Sequence, residues 1–320
     1  MNLNLNQLQL KLIVIIKDEN IMTYSMETID MDNIDMSKFT AVATGTPVDK
    51  IMSKRNGWMP GTVYVVTGES GAGKTTVCTN IADYTTENNP DKTAGFISCE
   101  MDRMDWTEEC LDNPRLSKLP TLFMLEYLEA SNYDEILIDV ISKYDLIILD
   151  SFEVVIDQLK EIKGWTSKKA ETKLLDLLRT SASTHGTTIL VIQQFTKGGN
   201  FVGSNKIKHL LTGMLFVNFD KDGNRYIVFT KNRRAGHMVG KPMYFTKSKE
   251  TGRLIFDGDR YENEEAYVEM KENEVKSIED EKMKFQDMLI KAKSKSTLFT
   301  EAENARNIST IKTTEVVEAE

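Results

Sequence analysis

Between about Thr40 and Asp257 the chain alternates short apolar runs with longer stretches of mixed polarity. Thr62-Val63-Tyr64-Val65-Val66, Ala94–Ser98, Leu146–Leu149 and Thr188–Ile192 are each of strand length. The stretch after the first of them, from Val77 to Tyr84, has the character of opening helical turns. Strands alternating with helices in this way predict a parallel α/β sheet. Further along, Met214–Phe219 and Tyr226–Thr230 flank Asp222-Gly223, a strong hairpin-turn pair. Tyr244–Thr246 and Leu254–Phe256 form a second pair of short strands. The expected fold is α/β: a central, mostly parallel β-sheet flanked by helices, with a β-hairpin extension.

This core is expected to span 39–260. The segment 1–38 is rich in Asn and Met, with Leu10–Ile16 its one apolar run. Two readings of that run stay open: a strand donated to a neighbouring subunit, or an extended leader upstream of a later start at Met22 or Met26. Residues 261–320 begin as a charged helical stretch, to about Lys295, and end in a Thr-, Glu- and Ala-rich tail too polar to order itself.

Composition narrows the class. At 320 residues, with 40% hydrophobic and 28% charged side chains, the chain can bury a full core. The net charge of −9 carries no global basic signature. Residues 261–320 hold 15 acidic against 9 basic side chains, so the rest is only slightly acidic and its local basic loops can still meet a polyanion. Cys78, Cys99 and Cys110 form no C-x-x-C pair. That excludes a self-contained cysteine zinc module and a disulfide framework, and fits a reducing compartment. Leu10–Ile16 is too short to span a bilayer and lacks a basic leader and a small-residue cleavage site. A cytoplasmic protein without a membrane partner is expected.

The chemistry centres on Gly68-Glu69-Ser70-Gly71-Ala72-Gly73-Lys74-Thr75, followed by Thr76. It matches G-x-x-x-x-G-K-[ST] between a strand and a helix, the phosphate-binding P-loop. Glycines let backbone N–H groups close around a triphosphate, and the helix N-terminus adds partial positive charge. Lys74 is placed to reach the β- and γ-phosphates, and the Thr75 hydroxyl to hold Mg²⁺. ATP and Mg²⁺ are the expected ligands.

Three further strand ends carry candidate groups. Leu146–Asp150 is an apolar run ending in an acid, in the manner of a Walker B strand, and Asp150 would orient the metal near Thr75. Ala94–Ser98 leads to Glu100; if its strand lies between those of the P-loop and Asp150, Glu100 faces the γ-phosphate as general base. Thr188–Gln194 ends in two amides, of which Gln194 is preferred over Gln193 as a γ-phosphate sensor. Lys231, Arg233 and Arg234 cluster after the hairpin, and Lys231 and Arg233 are candidates to stabilise charge on a neighbouring subunit's γ-phosphate. From spacing alone a solvated Glu, a polar strand end and a solvated basic turn stay open as alternatives.

The ordered series resembles the RecA-type ATPases, and within them the RadA (Sms) group, with DnaB-type helicases close by. Thr44-Gly45-Thr46-Pro47-Val48-Asp49 is similar to the family's T-G-x-x-x-[LV]-D, and Gly57-Trp58-Met59-Pro60-Gly61 to its G-G-L-x-x-G. Ser98-Cys99-Glu100-Met101, Phe195-Thr196-Lys197-Gly198-Gly199 and Lys231-Asn232-Arg233 with Gly236 resemble S-x-E-[EM], V-T-K-E-G and K-N-R-F-G. Departures accompany these matches: there is no four-cysteine finger, too little chain after Asp257 for a Lon-like domain, and Arg234 as an extra residue before Gly236. Gln194 stands where RadA proteins tend to carry His, a helicase-like trait. A core without accessory domains suits a bacteriophage-encoded form acting in its host's cytoplasm.

The resemblance implies a homo-oligomer, a hexameric ring or a filament, whose ATPase is stimulated by single-stranded or branched DNA during recombination, repair or replication. It implies two channel loops. The first is roughly Glu153–Lys173, with Lys160, Lys163, Lys168, Lys169, Lys173 and Trp165. The second is Phe195–His209, whose Lys197, Gly198, Gly199, Phe201, Lys206 and Lys208 are the DNA-binding candidates. A DnaB-like helicase and a KaiC-like regulatory ATPase that never touches DNA are the alternative readings.

Overall fold

The computed structural model describes residues 36–127, 129–194, 207, 210–263 and 276–288. The chain divides into two units, 1–38 and 39–320, and the fold described is that of the second. The expectations for Leu10–Ile16 and for the acidic tail beyond 288 lie outside the described residues.

Nine strands make one sheet: β1 (Val63–Gly68), β2 (Ala94–Ser98), β3 (Thr121–Phe123), β4 (Leu146–Asp150), β5 (Thr188–Gln194), β6 (Gly213–Phe219), β7 (Arg225–Asn232), β8 (Met243–Lys247) and β9 (Leu254–Phe256). Their order is β3-β2-β4-β5-β1-β6-β7-β8-β9. All pairings from β3 to β6 are parallel, and those from β6 to β9 are antiparallel. The fold class is the one expected, hairpin included. The β6–β7 turn is closed by the Asp220 carboxylate, which accepts from the N–H groups of Asp222 and Asn224, with Gly223 at φ 83°.

Side-chain alternation splits the sheet's apolar residues between two cores. Tyr64, Val66, Phe96, Ile148, Leu190 and Ile192 face Val77, Cys78, Ile81 and Ala82 of helix α1 (Lys74–Asn88). Val63, Val65, Ile97, Ile147, Leu149, Ile189 and Val191 face three helices, α2 (Tyr133–Ile141), α3 (Phe152–Lys163) and α4 (Ser167–His185). Each fully buried Val, Leu, Ile or Phe adds about 1.5–3 kcal/mol to this packing. That is why β1, β2 and β4 are buried along their whole length and apolar up to their C-terminal residues.

The structure departs from the expectations in three places. The stretch Glu153–Lys173, expected as a channel loop, forms α3 and the first turns of α4. Phe152, Val155 and Leu159, then Ala170, Leu174 and Leu178, recur at helical spacing and are buried. Gly164 ends α3 at φ 62°, and the Thr166 hydroxyl caps α4 by accepting from Lys169 N–H. Trp165 packs against the second core with Lys169 over its ring, so it is no free stacking platform. Second, β3 has no sequence signal: three residues at a sheet edge, of which only Phe123 is buried, are too few for periodicity. Third, β2 does not lie between β1 and β4. It lies beyond β4, with β5 between β4 and β1.

The Thr44–Asp49 segment is a closed turn. The buried Asp49 carboxylate accepts from Thr44 N–H and Oγ1, both at 2.8 Å, and from Gly45 N–H at 2.9 Å. Asn88 and Asn89 donate to Ala43 O, tying this turn to the C-terminal end of α1. At 1.5 Å per residue that end lies about 20 Å from Lys74, so the turn supports the fold and not the chemistry.

Candidate active site

The C-terminal ends of four parallel strands meet along one edge. Register pairs Gly68 with Gln194, Asp150 with Ile192 and Ser98 with Asp150. The P-loop, Asp150, Glu100 and Gln194 therefore converge through topology although they come from four separate segments.

The loop is shaped by its first and last glycines. Gly68 has φ 155°, and a Cβ there would collide with the Val217 carbonyl on β6, so only glycine lets β6 lie this close. Gly73, at φ 99°, is the N-cap of α1 and offers no side-chain cap. The first-turn N–H groups of α1 are left for an anion. Glu69, Ser70 and Gly71 are exposed at the mouth, Ala72 is buried, and Thr75 and Thr76 are half-buried. Lys74 Nζ donates to Gly68 O at 3.1 Å and Glu69 O at 2.9 Å. Burial lowers its pKa, against the opposing pull of Asp150 and Glu100.

Thr75 Oγ1 donates to Asp150 Oδ2 at 2.5 Å. Burial pushes the Asp150 carboxyl up to about 6; the Thr75 bond and Lys74 oppose that shift, and Glu100 adds to it. A hydroxyl and a carboxylate side by side are the hard oxygen donors that suit Mg²⁺, whose remaining ligands are ordinarily phosphate oxygens and water. The residues present fit that ion.

Glu100 is exposed but engaged on both sides. Ser151 Oγ donates to its Oε1 at 2.5 Å, and Gln194 Nε2 stands 3.4 and 3.5 Å from its two oxygens. Gln193 turns inward and is buried, which leaves Gln194 as the amide at the site.

Lys231 and Arg233 are not brought to this edge. β7 runs antiparallel, placing Lys231 beside Met214 and Asn232 beside Gly213, while Gly213 pairs with Tyr64. Met214 in turn pairs with Val65, three residues before Gly68, so Lys231 stands about 10 Å back along the sheet from the chain's own P-loop, and Arg233 further still. Lys231 Nζ donates to Leu211 O at 2.9 Å, and burial, then the Arg233 charge, lowers its pKa. Lys197, Gly198, Gly199, Phe201, Lys206 and Lys208 lie outside the described residues.

Two residues escaped the sequence reading. Arg225 begins β7 at the P-loop edge, its guanidinium 3.8 Å from where a Cβ on Gly73 would stand. Ser151 follows Asp150 and reaches Glu100. Neither belongs to a spaced motif: Arg225 reads as a charge beside a turn, and Ser151 as an ordinary helix cap.

Sheet order, phosphate loop and the carboxylates ending β2 and β4 define a RecA-type P-loop ATPase. The family model "ATPase: KaiC" matches residues 42–252, and the chain belongs to that KaiC-like ATPase family. Its fold is similar to that of the KaiC-like protein PH0186 from the hyperthermophilic archaeon Pyrococcus horikoshii OT3. The TM-score is 0.52 at 17% identity, over 68% of this chain and 99% of that one. No curated protein matches the chain in sequence. Among the described residues no helix is long and apolar enough to cross a membrane.

Proposed function

We propose that this chain hydrolyses ATP at a site shared between neighbouring copies in a ring or filament, and that the nucleotide cycle is coupled to single-stranded or branched DNA. The observation that carries the reading is the convergence of Lys74, Thr75, Asp150, Glu100 and Gln194 on one sheet edge while Lys231 and Arg233 stand back from it.

In this reading the P-loop amides and Lys74 cradle the phosphates. Mg²⁺, held by Thr75 and Asp150, would neutralise charge on the β- and γ-phosphates. Glu100 takes a proton from water as the water oxygen bonds to the γ-phosphorus. The bond from that phosphorus to the β-bridging oxygen breaks, leaving ADP and inorganic phosphate. A neighbour's Lys231 and Arg233 supply further cations to the γ-phosphate. Gln194 touches Glu100 and leads directly into 195–208, so it links hydrolysis to the segment bearing the proposed DNA contacts.

The RadA-like motifs and the basic residues of 195–208 favour recombination or repair within the cytoplasm, where the three free cysteines stay reduced. The KaiC family match favours a second reading, a regulatory ATPase without nucleic acid. ATPase rates with and without single-stranded DNA separate the two. Stimulation lost in Lys197→Ala/Lys206→Ala, with basal rate kept, supports the DNA reading; a rate indifferent to DNA supports the regulatory one.

A further inference from the structure

We propose that Ser151 is a positioning residue for Glu100, a role that rests on the general-base reading above. Ser151 is the N-cap of α3, with extended backbone at φ −124° and ψ 161°. A serine in that place ordinarily turns its oxygen onto a first-turn N–H. This one makes no such bond. Its hydroxyl has a single proton, and that proton goes to Glu100 Oε1 at 2.5 Å. The helix forgoes a side-chain cap and the carboxylate gains a fixed partner.

The two ends of this bond differ in freedom. Ser151 is 1% exposed and held between Asp150 and Phe152, both buried. Glu100 is exposed and lies just beyond the end of β2, so alone it would sample several rotamers. A general base must be held within hydrogen-bond reach of the water it activates, and small misplacements cost large factors in rate. The Gln194 contacts, at 3.4 and 3.5 Å, are too long to fix the carboxylate alone. Ser151 therefore sets its orientation. With Oε1 engaged by the hydroxyl, Oε2 meets only Gln194 among the described contacts, and Oε2 is the oxygen that receives the proton from water.

The test is a double-mutant cycle on the full chain, read as single-turnover ATP hydrolysis, nucleotide affinity and KM. Ser151→Ala is expected to lower kcat about tenfold, the cost of one hydrogen bond to a charged group, with KM and ADP affinity within about twofold. In the Glu100→Gln background the same change should cost nothing more, because its effect runs through the carboxylate. Ser151→Thr, which keeps the hydroxyl, should restore most of the rate. An unchanged kcat in Ser151→Ala overturns the proposal, as does an equal loss in both backgrounds, which general damage to the fold would give. If Glu100→Gln itself turns over normally, the general-base reading falls and takes this proposal with it. If Glu100→Gln is slow and Ser151→Ala is normal, only the positioning role falls.

Discussion

The Thr75 hydroxyl donates to Asp150 Oδ2 at 2.5 Å although the two residues lie 75 positions apart. The bond joins the first turn of α1 to the end of β4 across the intervening β5. Asp150 is 5% exposed, and a buried carboxylate is held there at a cost to stability. Asp150→Asn keeps the shape and an acceptor for Thr75 while removing the charge. ATP turnover in Mg²⁺ should fall at least about a hundredfold. The melting temperature in Mg²⁺-free buffer should hold or rise, by roughly 1 kcal/mol of stability. A clear loss of stability in Asp150→Asn would mean that the carboxylate is structural and not a cost carried for function.

At the opposite edge of the sheet, Asp145 clamps the entrances of β2 and β4. Its carboxylate accepts from Thr93 N–H at 2.9 Å, Thr93 Oγ1 at 3.0 Å and Lys92 Nζ at 3.2 Å. Partial burial works to raise its pKa, but the bonds from Thr93 and Lys92 outweigh it and hold the carboxyl below its usual value. A folded-state pKa below the unfolded one gives stability that is fully present above the ordinary Asp value, about 3.9, and lost as pH falls through the folded value. Asp145→Ala should therefore cost about 1 kcal/mol at neutral pH, allowing for solvent screening of a half-exposed group. The gap to the parent chain should close below about pH 4. Denaturant melts across that range check it, and ATPase activity at pH 7 should not change.

Arg225 stands at the P-loop, beside Gly73 and over the Phe219 ring at 5.3 Å. A guanidinium at the start of β7 in this place would meet a bound nucleotide before and after hydrolysis alike. Uniform binding of that kind moves KM and leaves kcat alone. Arg225→Ala should raise KM for ATP several-fold, by roughly 1 kcal/mol, with kcat nearly unchanged. Steady-state kinetics over a range of ATP concentrations test it; a fall in kcat at constant KM would assign Arg225 to the chemical step instead.

What was legible in the sequence was local. The P-loop, the apolar strands and the hairpin pair carry their signal within a dozen residues, and each is where its pattern placed it. Strand order is not local. Nothing within Ala94–Ser98 says that β2 sits outside β4, yet Glu100 still reaches the site because all four parallel strands end on one edge. The lysines of 160–173 drew attention as possible DNA contacts, while Phe152, Val155, Leu159 and Leu174 at helical spacing carried the larger free energy. Arg225 and Ser151 became visible only when β7 and α3 had neighbours.

That Lys231 and Arg233 stand about 10 Å or more back along the sheet from the chain's own P-loop has a consequence for mixed assemblies. If these cations serve a neighbour, one chain can be defective in phosphate binding and the next in the donated cations, and the interface between them is still complete. Lys74→Ala alone and Lys231→Ala/Arg233→Ala alone should each lose nearly all turnover. Mixed in equal amounts and allowed to exchange subunits, they should recover roughly a quarter of the parent rate. That is the random share of interfaces pairing an intact P-loop with intact cations, given head-to-tail contacts. The recovery should vanish at concentrations too low for assembly, which mass photometry with ATP can follow on the same samples. A mixture no more active than its components would show that Lys231 and Arg233 support their own chain, and the shared-site reading would have to be abandoned.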